Sequence, residues 1–182
     1  MTQGSAEPAP DLQPVLSGDH LVLRPLREDD FDALYAVASD PLIWEQHPST
    51  DRYKSEVFAE FFREALATRT ALVVIDRASG SVVGSSRYFG YDPVKREIEI
   101  GWSFLARSHW GGAYNREMKH LMLAHAFTFV RTVVFLVGPA NTRSLRAMEK
   151  LGGVRIGMRP NANGLESVVF QIAAHGGAAV ST

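Results

Sequence analysis

The sequence predicts an α/β domain of the α+β kind: a mixed, mostly antiparallel sheet interrupted by one parallel βαβ crossover. Two observations carry this. Between Ala71 and Leu105 three strand-like runs follow one another with turn chemistry between them, at Ala78–Ser81 and at Asp92-Pro93, which is the pattern of an antiparallel meander. From Glu97 to Val137 the pattern then runs strand, long helix, strand, and strands joined through a helix lie parallel.

The elements follow in order. His20 to Leu26 alternates apolar residues as a first strand, and Arg27-Glu-Asp-Asp supplies first-turn acids for a helix reaching Ser39, ended by Asp40-Pro41. Ser55 to Thr68 places Val57, Phe58, Phe61, Phe62, Ala65 and Leu66 on one helical face. Strands are expected at Ala71–Ile75, Val82–Tyr91 and Glu97–Leu105, a long helix at Gly112–Val130 and a buried strand at Val133–Val137. A helix over Asn141–Leu151, stopped by Gly152-Gly153, and a closing hairpin of Val154–Met158 with Ser167–Ile172 complete the order β-α-α-β-β-β-α-β-α-β-β.

At 182 residues, one core suffices. Pro, Gly and small polar residues mark residues 1–17 as a flexible leader and 174–182 as a flexible tail, leaving 18–173 as the single domain. The net charge is −1 with no basic stripe, which argues against a nucleic-acid partner. The absence of cysteine excludes disulfides, thiolate metal sites and thiol nucleophiles. No apolar run approaches the roughly 20 residues that cross a bilayer, and Met1–Pro10 has no basic segment followed by an apolar one, so no membrane partner and a cytoplasmic location are expected.

The chemistry gathers after Glu97, where a strand passes through Gly111-Gly112 directly into a helix. Free N–H groups at a helix start, at the positive end of the dipole, attract anions, and glycines allow a diphosphate close to the backbone. The same pair also suits a tight turn that binds nothing. A second candidate is Asn141-Thr142-Arg143-Ser144, whose Asn and Ser are each ordinary helix caps when taken alone.

Together with the later Leu151-Gly152-Gly153, these segments resemble the GNAT N-acetyltransferases, specifically the RimJ/RimL-type branch, over roughly Leu21 to Ile172. The branch commonly reads W-G-x-G-x-A before the helix; here it is Trp110-Gly111-Gly112-Ala113-Tyr114-Asn115, with Ala113 and Asn115 departing from the pattern. The resemblance implies a GNAT-like fold and acetyl-CoA as co-substrate, with no metal. It implies that residues Trp110 to Asn115 hold the coenzyme, that Asn141 contacts it and that Ser144 lies near the thiol leaving group. It also implies that the backbone N–H of Phe104 or Leu105 receives the oxyanion. The acceptor would be a primary amine: a protein N-terminus, an amino acid or a small amine. A homodimer stays open.

Such an amine must lose a proton, since an α-amine titrates at about 7.7 to 8.0 and a lysine at about 10.4. Side chains alternate along Glu97–Leu105, so Glu97, Glu99, Gly101 and Ser103 share one face and Ile98, Ile100, Trp102 and Phe104 the other, which must be core. Two carboxylates so close repel, which raises the pKa of one if they are partly buried; solvated surface acids are the plainer alternative. Glu99 holds the E-I-G position where relatives place a general base and ranks above Glu97. Ser144 is the expected proton donor, with Tyr88 or Tyr91 in reserve. His47 falls in the loop that lines the acceptor pocket in this family, or is a solvent-exposed loop residue. His109, His120 and His125 read as structural or surface residues, with no metal site. Without a working Glu99 and Ser144 the domain would be an acyl-CoA-binding or sensing module, and without the coenzyme a purely structural one.

Overall fold

A computed structural model describes residues 9–174. The elements are β1 (Leu16–Ser17), β2 (Leu21–Pro25), α1 (Phe31–Ala38), α2 (Ser55–Thr68), β3 (Ala71–Asp76), β4 (Val82–Asp92), β5 (Glu97–Leu105), α3 (Ala113–Ala126), β6 (Thr132–Val137), α4 (Thr142–Lys150), β7 (Val154–Pro160) and β8 (Glu166–Ala173). They form one eight-stranded sheet in the order β1-β2-β3-β4-β5-β6-β8-β7. Every neighbouring pair is antiparallel except β5 with β6, the expected crossover through α3.

The middle strands of the sheet are buried on both faces, which makes three layers, while the edge strand β7 is exposed along its length. Strand β3 shows the division: Leu72 and Val74 enter one core with Met118, Met122 and Phe135, while Ala71 and Val73 enter the other with Leu34, Phe58 and Phe62. On α2 the buried positions are Phe58, Phe61, Phe62 and Ala65, the spacing of one helical stripe. Where a buried ion serves the scaffold it is paired: Asp30 takes two hydrogen bonds from the Arg24 guanidinium, at 2.8 and 2.6 Å. Burial opposes the charge on Asp30, but Arg24 and the Arg27 amide outweigh it and hold the carboxyl below its ordinary value.

Four expectations need correction. The leader is not free over its whole length: Leu16–Ser17 pair with β2, and the Gln13 amide donates to the Ala71 carbonyl at 3.2 Å. Residues 1–8 and 175–182 lie outside the described part of the chain. Helix α1 starts at Phe31 rather than Arg27, because Glu28–Asp30 form a separate 3₁₀ turn. Helix α3 ends at Ala126 rather than Val130; the Thr128 hydroxyl bonds back to the His125 carbonyl at 2.7 Å and the chain tightens into turns.

The fourth correction shapes the site. Gly101 lies opposite Arg87 and Phe104 opposite Ser85, so Trp102 and Ser103 together face Ser86: β5 carries a β-bulge. Trp102 sits there at φ 51°, a rare conformation for a bulky side chain. The bulge reverses the alternation. Ile98, Ile100 and Leu105 enter the α3 core, whereas Phe104 joins the α2 core that strict alternation would have denied it. Just past the bulge, opposite Leu105, Gly84 is obligatory, since a Cβ there would lie 2.1 Å from the Phe104 carbonyl oxygen.

Candidate active site

The parallel pair is short. β5 and β6 are in register only over Glu97–Glu99 with Thr132–Val134, while β6 continues beside β8 to Val137. From Ile100 onward β5 has no neighbour on that side, and a cleft opens beyond the end of the pair, where α3 and α4 both begin. It has a larger chamber of about 860 Å³ and a smaller one of about 160 Å³. His47, Ser103, Asn115, Asn141 and Ser144 line both, so the two chambers are one continuous space.

The larger chamber is built for anions. Gly111 turns the chain at φ 70°, and Gly112 precedes α3 with no side-chain cap, so the first N–H groups of the helix have no side-chain partner among the described residues. Arg116, Arg143, Arg146 and Lys150 line the chamber and no Asp or Glu does. The Arg143 guanidinium stacks 3.9 Å from the Trp110 ring, and the Trp110 indole N–H donates to the Leu105 carbonyl at 2.9 Å. Phe104, Leu105, Trp110, Gly111, Gly112, Ala113, Asn115, Asn141 and Ser144, all singled out in the sequence, share this chamber. Tyr114 does not line it; its ring packs 4.6 Å from His109 and 5.5 Å from His20, so only its backbone amide belongs to the helix start.

Helix α4 is closed by its own chain. The Asn141 side-chain oxygen accepts from the Ser144 N–H at 3.1 Å, and Gln46 accepts from the Arg143 N–H at 3.1 Å and the Thr142 hydroxyl at 3.2 Å. Asn141 is therefore the cap its residue type suggested, while also lining the cleft. Ser144 contributes its backbone N–H to that cap; its hydroxyl makes no hydrogen bond among the described residues.

Glu99 lines the smaller chamber. Burial pushes its carboxyl up to about 7, against the pull of Arg159 and Arg87, with the repulsion from Glu97 the least of the causes. The upward shift expected from paired carboxylates is thus present but comes mainly from desolvation. Gly101 makes room for it, since a Cβ there would lie 3.1 Å from the Glu99 Oε1. Glu97 lies outside both chambers, its carboxylate 3.9 Å from Arg159, so the second catalytic carboxylate is not at the site. Nor are the reserve tyrosines: the fully buried Tyr88 hydroxyl donates to the Met122 carbonyl at 2.8 Å, and the Tyr91 ring packs 5.7 Å from Phe129.

His47 stands between the chambers rather than in solvent. Its Nδ1 accepts from the Ser49 N–H at 2.9 Å, and burial, then the Arg52 charge, push it down to about 4, so the ring is neutral near pH 7. His109, His120 and His125 lie outside the cleft, and among the described residues no group of three or more His, Cys, Asp or Glu is placed to hold a metal ion.

Three buried cations escaped the sequence reading. Lys119 of α3 lines the smaller chamber against the Ser103 hydroxyl, itself 2.7 Å from the Ser86 hydroxyl, and burial pushes its ammonium down to about 7. Arg52 also lines it, with its guanidinium 4.4 Å from the Phe61 ring and 5.1 Å from Trp44. Arg87 lies behind, 4.4 Å from the Trp102 ring, with one buried guanidinium nitrogen unbonded. Lys119 had a signal, because it falls on the inward face of α3 with Met122, Leu123 and Ala126. The arginines come from a loop and a strand whose pattern marks nothing.

Among solved structures, the chain is similar to an acetyltransferase of the GNAT family from Bacillus anthracis at 21% identity and TM-score 0.72, covering 88% of this chain and 98% of that one. It is similar to an acetyltransferase from Agrobacterium tumefaciens at 26% and 0.68, covering 88% and 95%. Mycobacterium smegmatis RimJ in complex with CoA-disulfide matches at 20% and 0.64, covering 85% and 82%. Residues 20–154, most of the chain and every residue lining the larger chamber, match the family model described as the acetyltransferase (GNAT) domain; the chain belongs to that family.

Proposed function

We propose that the protein transfers an acetyl group from acetyl-CoA to a primary amine, as an enzyme of the RimJ/RimL-type branch. One observation carries the reading: an uncapped helix start in a chamber lined, among the described residues, by bases without acids opens into the chamber that holds the half-buried Glu99. The α3 amides, Arg116, Arg143, Arg146 and Lys150 suit the phosphates of coenzyme A. Bound there, acetyl-CoA supplies an acetyl group already activated as a thioester.

The chain's own residues supply the rest. Glu99 accepts the proton that an arriving ammonium must lose, and its raised pKa matches it to that exchange near neutrality. The backbone N–H of Phe104 or of Leu105 follows the bulge at the widening of the strands, where an oxyanion needs a donor. Ser144 offers the unbonded hydroxyl nearest the family's leaving-group position. Neutral His47 keeps a polar wall between the chambers without adding charge.

Glu99→Gln tests this. Turnover is expected to fall by about 10² to 10⁴ with unchanged acetyl-CoA affinity. In the wild type the rate climbs as pH rises through about 7, because the base must be ionised, and the variant loses that limb. A wild-type rate in the variant removes Glu99 from the mechanism. Tight acetyl-CoA binding with no turnover of any amine points instead to an acyl-CoA-binding module.

A further inference from the structure

We propose that the amine acceptor also carries a carboxylate close to its amino group, and that Arg52 receives this carboxylate in the smaller chamber. The inference rests on the acetyl-transfer reading of the cleft and narrows its substrate class.

Buried charges in folded proteins are paired, because an uncompensated ion in a dry interior is costly. This chain follows the rule at Arg24 and Asp30. Around the smaller chamber it does not. Arg52, Arg87 and Lys119 are only 7%, 3% and 4% exposed, and none makes an ion pair among the described residues. Among the described residues the side-chain hydrogen bonds of Arg52 amount to one, to the Ser49 hydroxyl at 3.3 Å, and Lys119 hydrogen-bonds only the Ser103 hydroxyl. Arg87 lies behind and leaves a buried nitrogen unbonded. The stacking of Arg52 on Phe61 and Trp44 fixes the plane of its guanidinium without using its N–H donors.

Among the described residues Glu99 is the one carboxylate lining that chamber, which two basic side chains, Arg52 and Lys119, also line. An ordinary amine, arriving as an ammonium, would add positive charge to a space already in excess of it. An amine with its own carboxylate brings the missing counter-charge. The guanidinium fork matches a carboxylate in two parallel hydrogen bonds, and Glu99 is left for the ammonium. At about 160 Å³ the chamber has room for about five waters at about 30 Å³ each, the scale of an amino-acid head group. The carboxylate has two candidate sources, the main chain of a free α-amino acid or the side chain of an N-terminal Asp or Glu in a peptide.

The experiment compares free α-amino acids, the matching amino-acid amides, and short peptide amides beginning with Asp, Glu, Ala or Ser, all with acetyl-CoA. The wild type is expected to favour carboxylate-bearing acceptors over their uncharged partners by about tenfold to a hundredfold in kcat/KM, mostly through KM. Preference for free acids assigns the main-chain carboxylate; preference for Asp and Glu peptides assigns the side chain. In Arg52→Gln the preference collapses, and in Arg52→Lys it returns in part, with melting temperatures showing that both variants fold. Titration of N-acetylated acids and of N-acetylated amides reads the same site without turnover. Tighter binding of the acids in a protein that acetylates no amine keeps the carboxylate site and removes the transfer reading. Equal use or equal binding of acids and amides by the wild type overturns the proposal, as does a preference that survives Arg52→Gln.

Discussion

Helices α3 and α4 begin on the same cleft and are finished in opposite ways. α3 leaves its first amides without a side-chain partner and turns a lysine inward, whereas α4 is capped by Asn141 and Gln46 and lines the larger chamber with Arg143, Arg146 and Lys150. Both helices face the same unsatisfied N–H groups at their starts. The difference separates two demands: α4 satisfies its own backbone and contributes side chains, while α3 contributes the backbone itself.

The contrast breaks most directly at Gly112. Its φ of −114° suits any residue and a Cβ would meet only the Tyr114 ring, at 3.9 Å, so Gly112→Glu is expected to fold normally. The added carboxylate would stand against the incoming phosphates and lower acetyl-CoA affinity by about 100-fold, read by titration calorimetry. Wild-type affinity in the folded variant would make the open end of α3 a mere turn.

A second difference lies inside the helices. Burial pushes Lys119 down to about 7 in the folded protein, while an unfolded lysine keeps its proton to about 10.4. Between those values the unfolded chain binds more protons, so this group makes stability rise with pH, and below about 7 the buried charge is a full liability. Lys119→Met is therefore expected to exceed the wild type by about 2 kcal/mol at pH 6, with the gap closing towards pH 10 in denaturant titrations. A gap independent of pH would mean that Lys119 keeps its ordinary pKa in the fold.

Smaller effects are expected at α4. Asn141→Ala removes the cap of the Ser144 amide and is expected to cost about 1 kcal/mol, a drop of about 2–4 °C in melting temperature. Ser144→Ala should leave stability within about 0.5 kcal/mol, since its hydroxyl bonds nothing in the chain. Its turnover should fall less than that of Glu99→Gln, because a thiolate with a pKa of about 8.5 gains little from a proton donor at neutral pH. A stability loss matching that of Asn141→Ala would identify Ser144 as structural.

How legible all this was in the sequence depends on how local its cause is. Periodicity alone delimited Ser55–Thr68 and Glu97–Leu105 as the structure has them, because each is set by one buried stripe or one pleat. The two-residue strand at Leu16 has no period to detect, and it exists because β2 offers an edge. The bulge at Trp102 is invisible to an alternation rule, since it sets two residues of β5 against one residue of the neighbouring strand. The Gly111-Gly112 chamber was legible because a contiguous motif builds it. The smaller chamber was legible at Glu99 and His47 and where it shares Asn115, Asn141 and Ser144 with the larger one; Arg52, Arg87 and Lys119 come from three separate elements, and only the folded chain brings their charges together.

The early parting of β5 and β6 has a consequence for how the molecule breathes. In a sheet of this width, amide protons are expected to exchange with solvent first at the rims and last at the middle. Here the β5 amides past Ile100 that point away from β4 sit near the middle of eight strands with no β6 partner, open to the cleft. They exchange without any unfolding, as an island of fast deuteration inside a slow core. Whatever occupies the cleft would erase that island, so the centre of the sheet reports occupancy while the rims report stability.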